Sequence, residues 1–351
     1  MRVVVTGATG NVGTSLLRVL SADPQIDEIV GLARREPQLT FRRTRWVSAD
    51  VARDDLVPIF RGADAVVHLA WLIQPSRDRA TTRGVNVDGS RRVFEAAAAA
   101  EVPALVHASS VGAYSPGPKD RRVDESWPTG GIQTSFYSRD KSAVEAILDG
   151  VEQAQPQMRV VRLRPGLIFK GEAASGIRRL FAGPLLPTPL LRRGLIPIVP
   201  ALDRLRVQGL HSFDVAEAYR LAVVRDVRGA FNVAAEPVLD PPELGRLLDA
   251  RPVPASARVV RTAVDVAWKL RLQPTPPGWL DLALGVPLMD CARARDELGW
   301  TAQRSAGEAL LELIDAMRHG EGLETAPLQP GAAGPARIRE LLSGIGARSA
   351  G

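Results

Sequence analysis

Cysteine is nearly absent from this chain: Cys291 stands alone, so no disulfide can close within it, and a reducing, cytoplasmic setting is expected. No run approaches the ~18 uninterrupted apolar residues of a membrane span, and no charged leader precedes an apolar segment at the start. The net charge of +6 is spread in short arginine pairs such as Arg34-Arg35, Arg91-Arg92 and Arg178-Arg179. A nucleic-acid groove would gather charge in a stripe with interleaved aromatics, so neither nucleic acid nor a membrane span is expected as a partner. No metal site is expected either. Lysine and tyrosine are also scarce, with four and three residues in 351. Against that scarcity, Tyr137 and Lys141 stand four apart in "FYSRDKSAVE".

What is abundant is valine in short runs: "RVVVTG", "DEIVGLAR", "TRWVSAD", "DAVVHLA", "PALVHASS" and "MRVVRLRPG". Segments with helical spacing of apolar residues separate them, including "NVGTSLLRVLSA" and "NVDGSRRVFEAAAAAEV". Continuous apolar strands alternating with helices predict an α/β fold, a parallel sheet covered on both faces and doubly wound, with ligands at the carboxyl ends of its strands. The expected organisation is a dinucleotide-binding domain over 1–170, to which a strand and helix return around 206–235. A smaller, mostly helical substrate-binding region takes 171–205 and 236–320, and a flexible glycine- and proline-rich tail takes 321–351.

The first run ends in "VTGATGNVG", which sets Gly7, Gly10 and Gly13 three apart before a helix. Gly7 suits a tight turn, Gly10 admits a pyrophosphate against the backbone, and Gly13 lets helix and strand pack closely. Strand before and helix after mark this as the fingerprint of a dinucleotide. Asn11 and Val12 open that helix. At the end of the second strand a carboxylate would bind a ribose diol, but the chain has Ala33, Arg34 and Arg35, which suit a 2′-phosphate and favour NADP over NAD. Asp50 and Val51 close the third strand where an adenine edge should lie. Leu69 and Ala70 close the fourth beside the nicotinamide ribose, with His68 a packing residue.

A tyrosine and a lysine at i and i+4 share one helix face, so the ammonium can favour the ionised phenol and bring its pKa down toward neutrality. Such a phenol donates a proton to a carbonyl or takes one from an alcohol. "VHASSVGAY" supplies hydroxyls, Ser109 and Ser110, just past the fifth strand.

These motifs in this order, with "HLAW", "YSRDK", "RLRPGLIF", "GLHSFDVAEAY" and "CARARDELGW", resemble an extended short-chain dehydrogenase/reductase of the NAD-dependent epimerase/dehydratase superfamily. The resemblance implies a Rossmann sheet and hydride chemistry, with Tyr137 as acid/base, Lys141 as its ribose-binding partner and Ser110 as the serine that polarises the substrate oxygen. It makes Ser109 a neighbour that touches cofactor or substrate, Asn86 a structural asparagine, and Pro165, Gly166, Leu167 and Ile168 the stretch flanking the nicotinamide carboxamide. Two departures concern the substrate. Nucleotide-sugar members usually carry asparagine where this chain has Arg164, and arginine where it has Val207, with Arg206 one position off. With those contacts displaced and residues 172–205 rich in leucine and proline, the expected substrate is an apolar carbonyl or alcohol, with nucleotide-sugar epimerase or dehydratase chemistry as the alternative. The same leucines could instead pack a core or the seam of a homodimer.

Overall fold

The computed structural model describes residues 1–181 and 194–330. Seven strands form one parallel sheet in the order β11-β7-β5-β4-β1-β2-β3. β1 (Arg2–Thr6), β2 (Glu28–Ala33), β3 (Thr44–Ser48), β4 (Ala65–His68) and β5 (Ala104–Ala108) come first, separated by helices. After the short β6 (Arg122–Val123) and the long helix Phe136–Ala154 come β7 (Arg159–Pro165) and β8 (Leu167–Phe169). β9 (Ile198–Ala201), β10 (Gly209–His211) and β11 (Gly229–Val233) follow, then β12 (Arg251–Pro254) and β13 (Leu288–Met289). β8–β10, β9–β12 and β6–β13 pair off as separate two-stranded ribbons.

The valine runs work as a two-sided strand must. In β1, Val3 and Val5 join Leu16, Leu17 and Leu20 of the helix Asn11–Ala22 on one face. Val4 joins Phe94, Val144 and Leu148 of the helices Gly89–Ala99 and Phe136–Ala154 on the other. All three valines have no exposed surface. Burying such side chains is worth roughly 1.5–3 kcal/mol each.

The chain winds from β1 outward through β2 and β3, then crosses back to lay β4 on the other side of β1. A crevice opens at that switch point, beyond the carboxyl ends of β1 and β4. A second switch follows Pro165: β7 pairs with β11, while β8 leaves the sheet to pair with β10. Gly166 makes that exit, since a side chain there would meet the Gln208 carbonyl at 2.4 Å.

One expected boundary moves: the flexible tail does not begin at 321. The helix Ala306–His319 starts at a Ser305–Glu308 capping box and stops at Gly320 (φ 69°), after which the chain folds back against the helix Ala174–Phe181. Leu328 is buried, the Ser175 N–H donates to the Glu321 carbonyl, and Arg179 donates to the carbonyls of Pro327 and Gln329. Thr325, also buried, donates its hydroxyl to the Thr9 carbonyl of the glycine loop at 2.9 Å. The packing reason is Leu328, which finds an apolar seat beside Gly176. The rest of the tail, 331–351, and residues 182–193 of the leucine- and proline-rich stretch lie outside the described residues.

Candidate active site

Gly7 adopts φ 70°, and a Cβ there would stand 2.7 Å from the Ala70 nitrogen, so the loop lies directly on Leu69–Ala70 across the crevice. A Cβ on Gly13 would stand 2.4 Å from the Gly7 carbonyl oxygen, and one on Gly10 would stand 3.3 Å from it. Only glycine lets the loop curl this tightly over its own helix. The helix Asn11–Ala22 begins there with no side-chain cap. Asn11 reaches from its first turn to the Ile168 carbonyl (3.4 Å), tying the loop to the stretch after Pro165, while its own Oδ1 is buried without a partner. A cradle that any side chain would fill, a helix N-terminus without a cap and an orphaned amide oxygen fit a dinucleotide pyrophosphate. Val12 sits in the same first turn. Arg34 and Arg35 follow β2 directly, both exposed, at an edge held to the loop by the Ala8 N–H on the Leu32 carbonyl. Asp50 spends one carboxylate oxygen on the Ala52 N–H (3.0 Å), and Val51 is buried in the core.

Ser135 caps the helix that carries Tyr137 and Lys141, accepting from the Ser138 N–H. The Tyr137 ring lies against the turn Val111–Ala113, where a Cβ on Gly112 would approach it to 2.9 Å. Ser110 at the head of that turn accepts from the Gly112 N–H at 3.0 Å, close enough to the phenol to favour its ionised form. Lys141 is buried; its Nζ donates to the Ala108 carbonyl at 2.6 Å and sits 3.5 Å above the Trp71 ring. So β5, its following turn and one helix bring Ser110, Tyr137 and Lys141 to one end of the sheet.

The electrostatics differ from the sequence expectation. Burial raises the Tyr137 phenol above its usual 10, with the Ser110 hydroxyl pulling the other way. Lys141 does not lower it here, because its ammonium is directed at Ala108 and Trp71 and lies 5.9 Å from the Tyr137 ring centre. Burial also pushes Lys141 itself down to about 7, against the upward pull of Glu145 and Asp140. A phenol in this setting holds its proton at neutral pH.

Ser109 turns away from the crevice and donates to Glu145, which contradicts the expectation that it touches cofactor or substrate. Glu145, one turn beyond Lys141, is the hub of a buried network. It takes a bidentate pair from Arg164 (2.9 and 3.0 Å) and a bond from Arg162 (3.1 Å). Arg164 also donates to the Tyr114 hydroxyl and the Glu125 carbonyl, and Tyr114 donates to Asn232. Burial would raise the Glu145 carboxyl, but Arg164 and Arg162 overcome that and hold it at about 2. The position where nucleotide-sugar members carry asparagine is therefore spent on the core. Val207 pairs its backbone with Leu239, and Arg206 donates to the Lys119 carbonyl. Asn86 locks the chain after β4 by bonding both backbone groups of Leu72 (2.7 and 2.8 Å). His68 is held between Thr6 and Ser90 and pushed to about 3 by burial, as befits a packing residue. Cys291 is buried and its thiol raised to about 12 by that burial, so it is inert.

Residues 3–234 match the NAD dependent epimerase/dehydratase family. The chain belongs to that family. An uncharacterized protein of Mycobacterium tuberculosis is 28% identical over 327 residues, covering 92% of this chain and 31% of that protein. Ceramide reductase of Caulobacter vibrioides is 32% identical over 193 residues, 53% of each chain. The chain thus spans about a third to a half of the length of these relatives. Among solved structures, the UDP-glucose 4-epimerase of Thermus thermophilus in complex with NAD superposes with a TM-score of 0.64 at 24% identity, over 91% of this chain and 99% of that one. That likeness is one of fold.

The substrate side of the crevice is aromatic. Trp279, from the helix Gly278–Gly285, tilts over Tyr137 with ring centres 4.8 Å apart, and Trp71 meets the same ring edge-on at 5.9 Å. Phe181 and Phe136 brace Trp279 in turn. Beyond Trp279 a small cavity is walled by Val111, Leu167, Leu282, Val286 and Met289. Its one side-chain amide, Gln208, is spent on both backbone groups of Met289, while the buried indole Nε1 of Trp279 has no partner among the described residues. Sequence reasoning missed Trp279, which no local pattern joins to Tyr137. It also missed Glu145, although Tyr137, Lys141 and Glu145 recur every four residues along one helix face.

Proposed function

We propose that this chain is an NADP-dependent carbonyl reductase or alcohol dehydrogenase acting on an apolar small molecule. The observation that carries the reading is the apolar wall beside Tyr137: among the described residues its one amide, Gln208, is already consumed, and the single donor it leaves open is the Trp279 indole N–H. A sugar diphosphate would leave many hydroxyls unpaired there, at a cost of roughly 1–3 kcal/mol for each buried group. The ceramide reductase relative, whose name describes a reductase of a lipid, supports the same substrate class.

When bound, nicotinamide would supply or accept the hydride. Gly7, Gly10, Gly13, Asn11 and Val12 would hold the pyrophosphate, and Arg34 with Arg35 the 2′-phosphate. Leu69, Ala70 and the backbone from Pro165 to Ile168 would flank the nicotinamide half, and Lys141 would turn from Ala108 to the ribose hydroxyls. In reduction, Ser110 donates a hydrogen bond to the substrate oxygen and Tyr137 transfers its proton to that oxygen as the carbon gains hydride. The phenolate formed is reprotonated from solvent. Oxidation of an alcohol runs the same transfers backward.

The alternative, a nucleotide-sugar epimerase or dehydratase, is favoured by the family match and by the Thermus fold neighbour. A reductase consumes NADPH in step with product, whereas an epimerase shows no net change in cofactor. Apolar ketones and UDP-sugars, each followed by NADPH absorbance and mass spectrometry, decide between them. Cofactor-neutral conversion of a sugar nucleotide would overturn the reductase reading.

A further inference from the structure

The helix Ala257–Lys269 has no fully buried residue. Val260, Val264, Ala267 and Trp268 are half-buried and face the protein. Val259, Ala263, Val266 and Leu270 recur at i, i+4, i+7 and i+11, which sets them in one stripe on the adjoining face, about a third of a turn from the packed residues. That stripe is open to solvent: Val259 is 67% exposed, Val266 47% and Leu270 65%, and Leu272 just beyond is 48% exposed. Next to it in the chain, β12 exposes Val253 and its partner strand β9 exposes Ile198. Among the described residues, the large hydrophobics exposed to this degree all lie in 195–198 or 253–272, apart from Leu167 at the crevice. Scattered apolar residues on a surface need no explanation, but a concentrated patch marks a docking face.

The charges around the stripe point to the occupant. Between 257 and 272 the helix and its end carry Arg258, Arg261, Lys269 and Arg271 against one acid, Asp265. Arg258 and Arg271 are exposed and make no ion pair among the described residues, while Arg261 pairs with Asp281 and Lys269 with Asp265. Arg77 lies over the inward-facing Trp268. A second copy meeting this face across a two-fold axis would bring the same cations against themselves. A lipid surface with anionic headgroups takes both the apolar stripe and its basic flanks.

We propose that the helix Ala257–Lys269, with Leu270 and Leu272, is an interfacial helix that seats the protein on an anionic bilayer surface. No helix of the described residues is long and apolar enough to cross a membrane, so the attachment is peripheral. The seat adjoins the active crevice. The chain turns at Pro274, whose carbonyl is held by Ser76 and Gln74, and enters the helix that carries Trp279 and the cavity wall. The docking stands on this surface alone and does not depend on the substrate reading.

The test is co-sedimentation of the full chain with vesicles of phosphatidylglycerol mixed with phosphatidylcholine, and with vesicles of phosphatidylcholine alone. Binding to the anionic vesicles is expected, with weakening at high salt. The double variant Val266→Glu/Leu270→Glu should reduce the bound fraction about tenfold, and Arg258→Glu/Arg271→Glu should do about the same on anionic vesicles. Circular dichroism and NADPH affinity should stay unchanged in both. Three outcomes overturn the proposal: no binding to either vesicle, equal binding to both, or a lipid-free dimer by light scattering that Val266→Glu/Leu270→Glu makes monomeric.

Discussion

Where the glycine loop meets Leu69 and Ala70, the crevice walls are backbone, pressed so close that a single Cβ on Gly7 would stand 2.7 Å from its neighbour. Across Tyr137 the walls are indole and phenyl rings, contributed by Trp71, Phe136, Phe181 and Trp279 from segments spread along the chain from 71 to 279. The first half leaves little room for variation, because a backbone surface answers only to sterics and hydrogen bonds. The second can be rebuilt ring by ring without disturbing the sheet. The two halves thus divide a wall that tolerates no side chain from a wall made of side chains.

Removing the group on the border of the two halves should have the largest effect. Tyr137→Phe deletes the proton and almost no volume, so turnover should fall ~100- to 10,000-fold while NADPH binding, by fluorescence titration, persists. Near-normal turnover would remove Tyr137 from the chemistry.

Behind the border, Glu145→Gln leaves Arg164 buried without its counter-charge and should cost about 3–5 kcal/mol in chemical denaturation. Its folded pKa of about 2 lies below the 4.5 of an unperturbed glutamate. The stabilisation it gives is therefore full above 4.5 and is lost as pH falls through 2. Wild type should lose stability across that window, and the variant should lose less. Parallel pH curves for the two proteins would contradict the assignment.

On the backbone-walled side, Arg34→Ala should weaken NADPH by about tenfold to hundredfold, the worth of a charge-assisted contact, and leave NADH unchanged. Equal loss for both cofactors would show that Arg34 does not read the 2′-phosphate. On the aromatic side, Trp279→Ala should raise KM for an apolar carbonyl by about tenfold, close to 1.4 kcal/mol, with kcat little changed and Trp279→Phe nearly neutral. A fall in kcat alone would instead make Trp279 a support for Tyr137.

The sequence by itself determined the doubly wound sheet, the glycine cradle and the placing of Ser110, Tyr137 and Lys141 together. Each of these is written in a period or a short spacing: valines that alternate between two buried faces, glycines three apart, a phenol and an ammonium one helical turn apart. His68 was readable from its place at a strand end, and Asn86 only through the family resemblance. Tertiary structure alone decided the rest. Ser109 was expected, as the neighbour of Ser110, to touch cofactor or substrate, but its hydroxyl donates to Glu145, which the fold brings within reach. The Tyr137 phenol was expected to fall in pKa and rises instead, because desolvation depends on what covers the ring and Lys141 finds a closer acceptor in Ala108. Thr325 meets Thr9 across 316 positions of chain, and Trp279 meets Tyr137 across a hundred and more. No local pattern encodes such contacts. They exist because the returning segments share one apolar seat with the sheet, and only the closed fold decides which side chains that seat brings into touch.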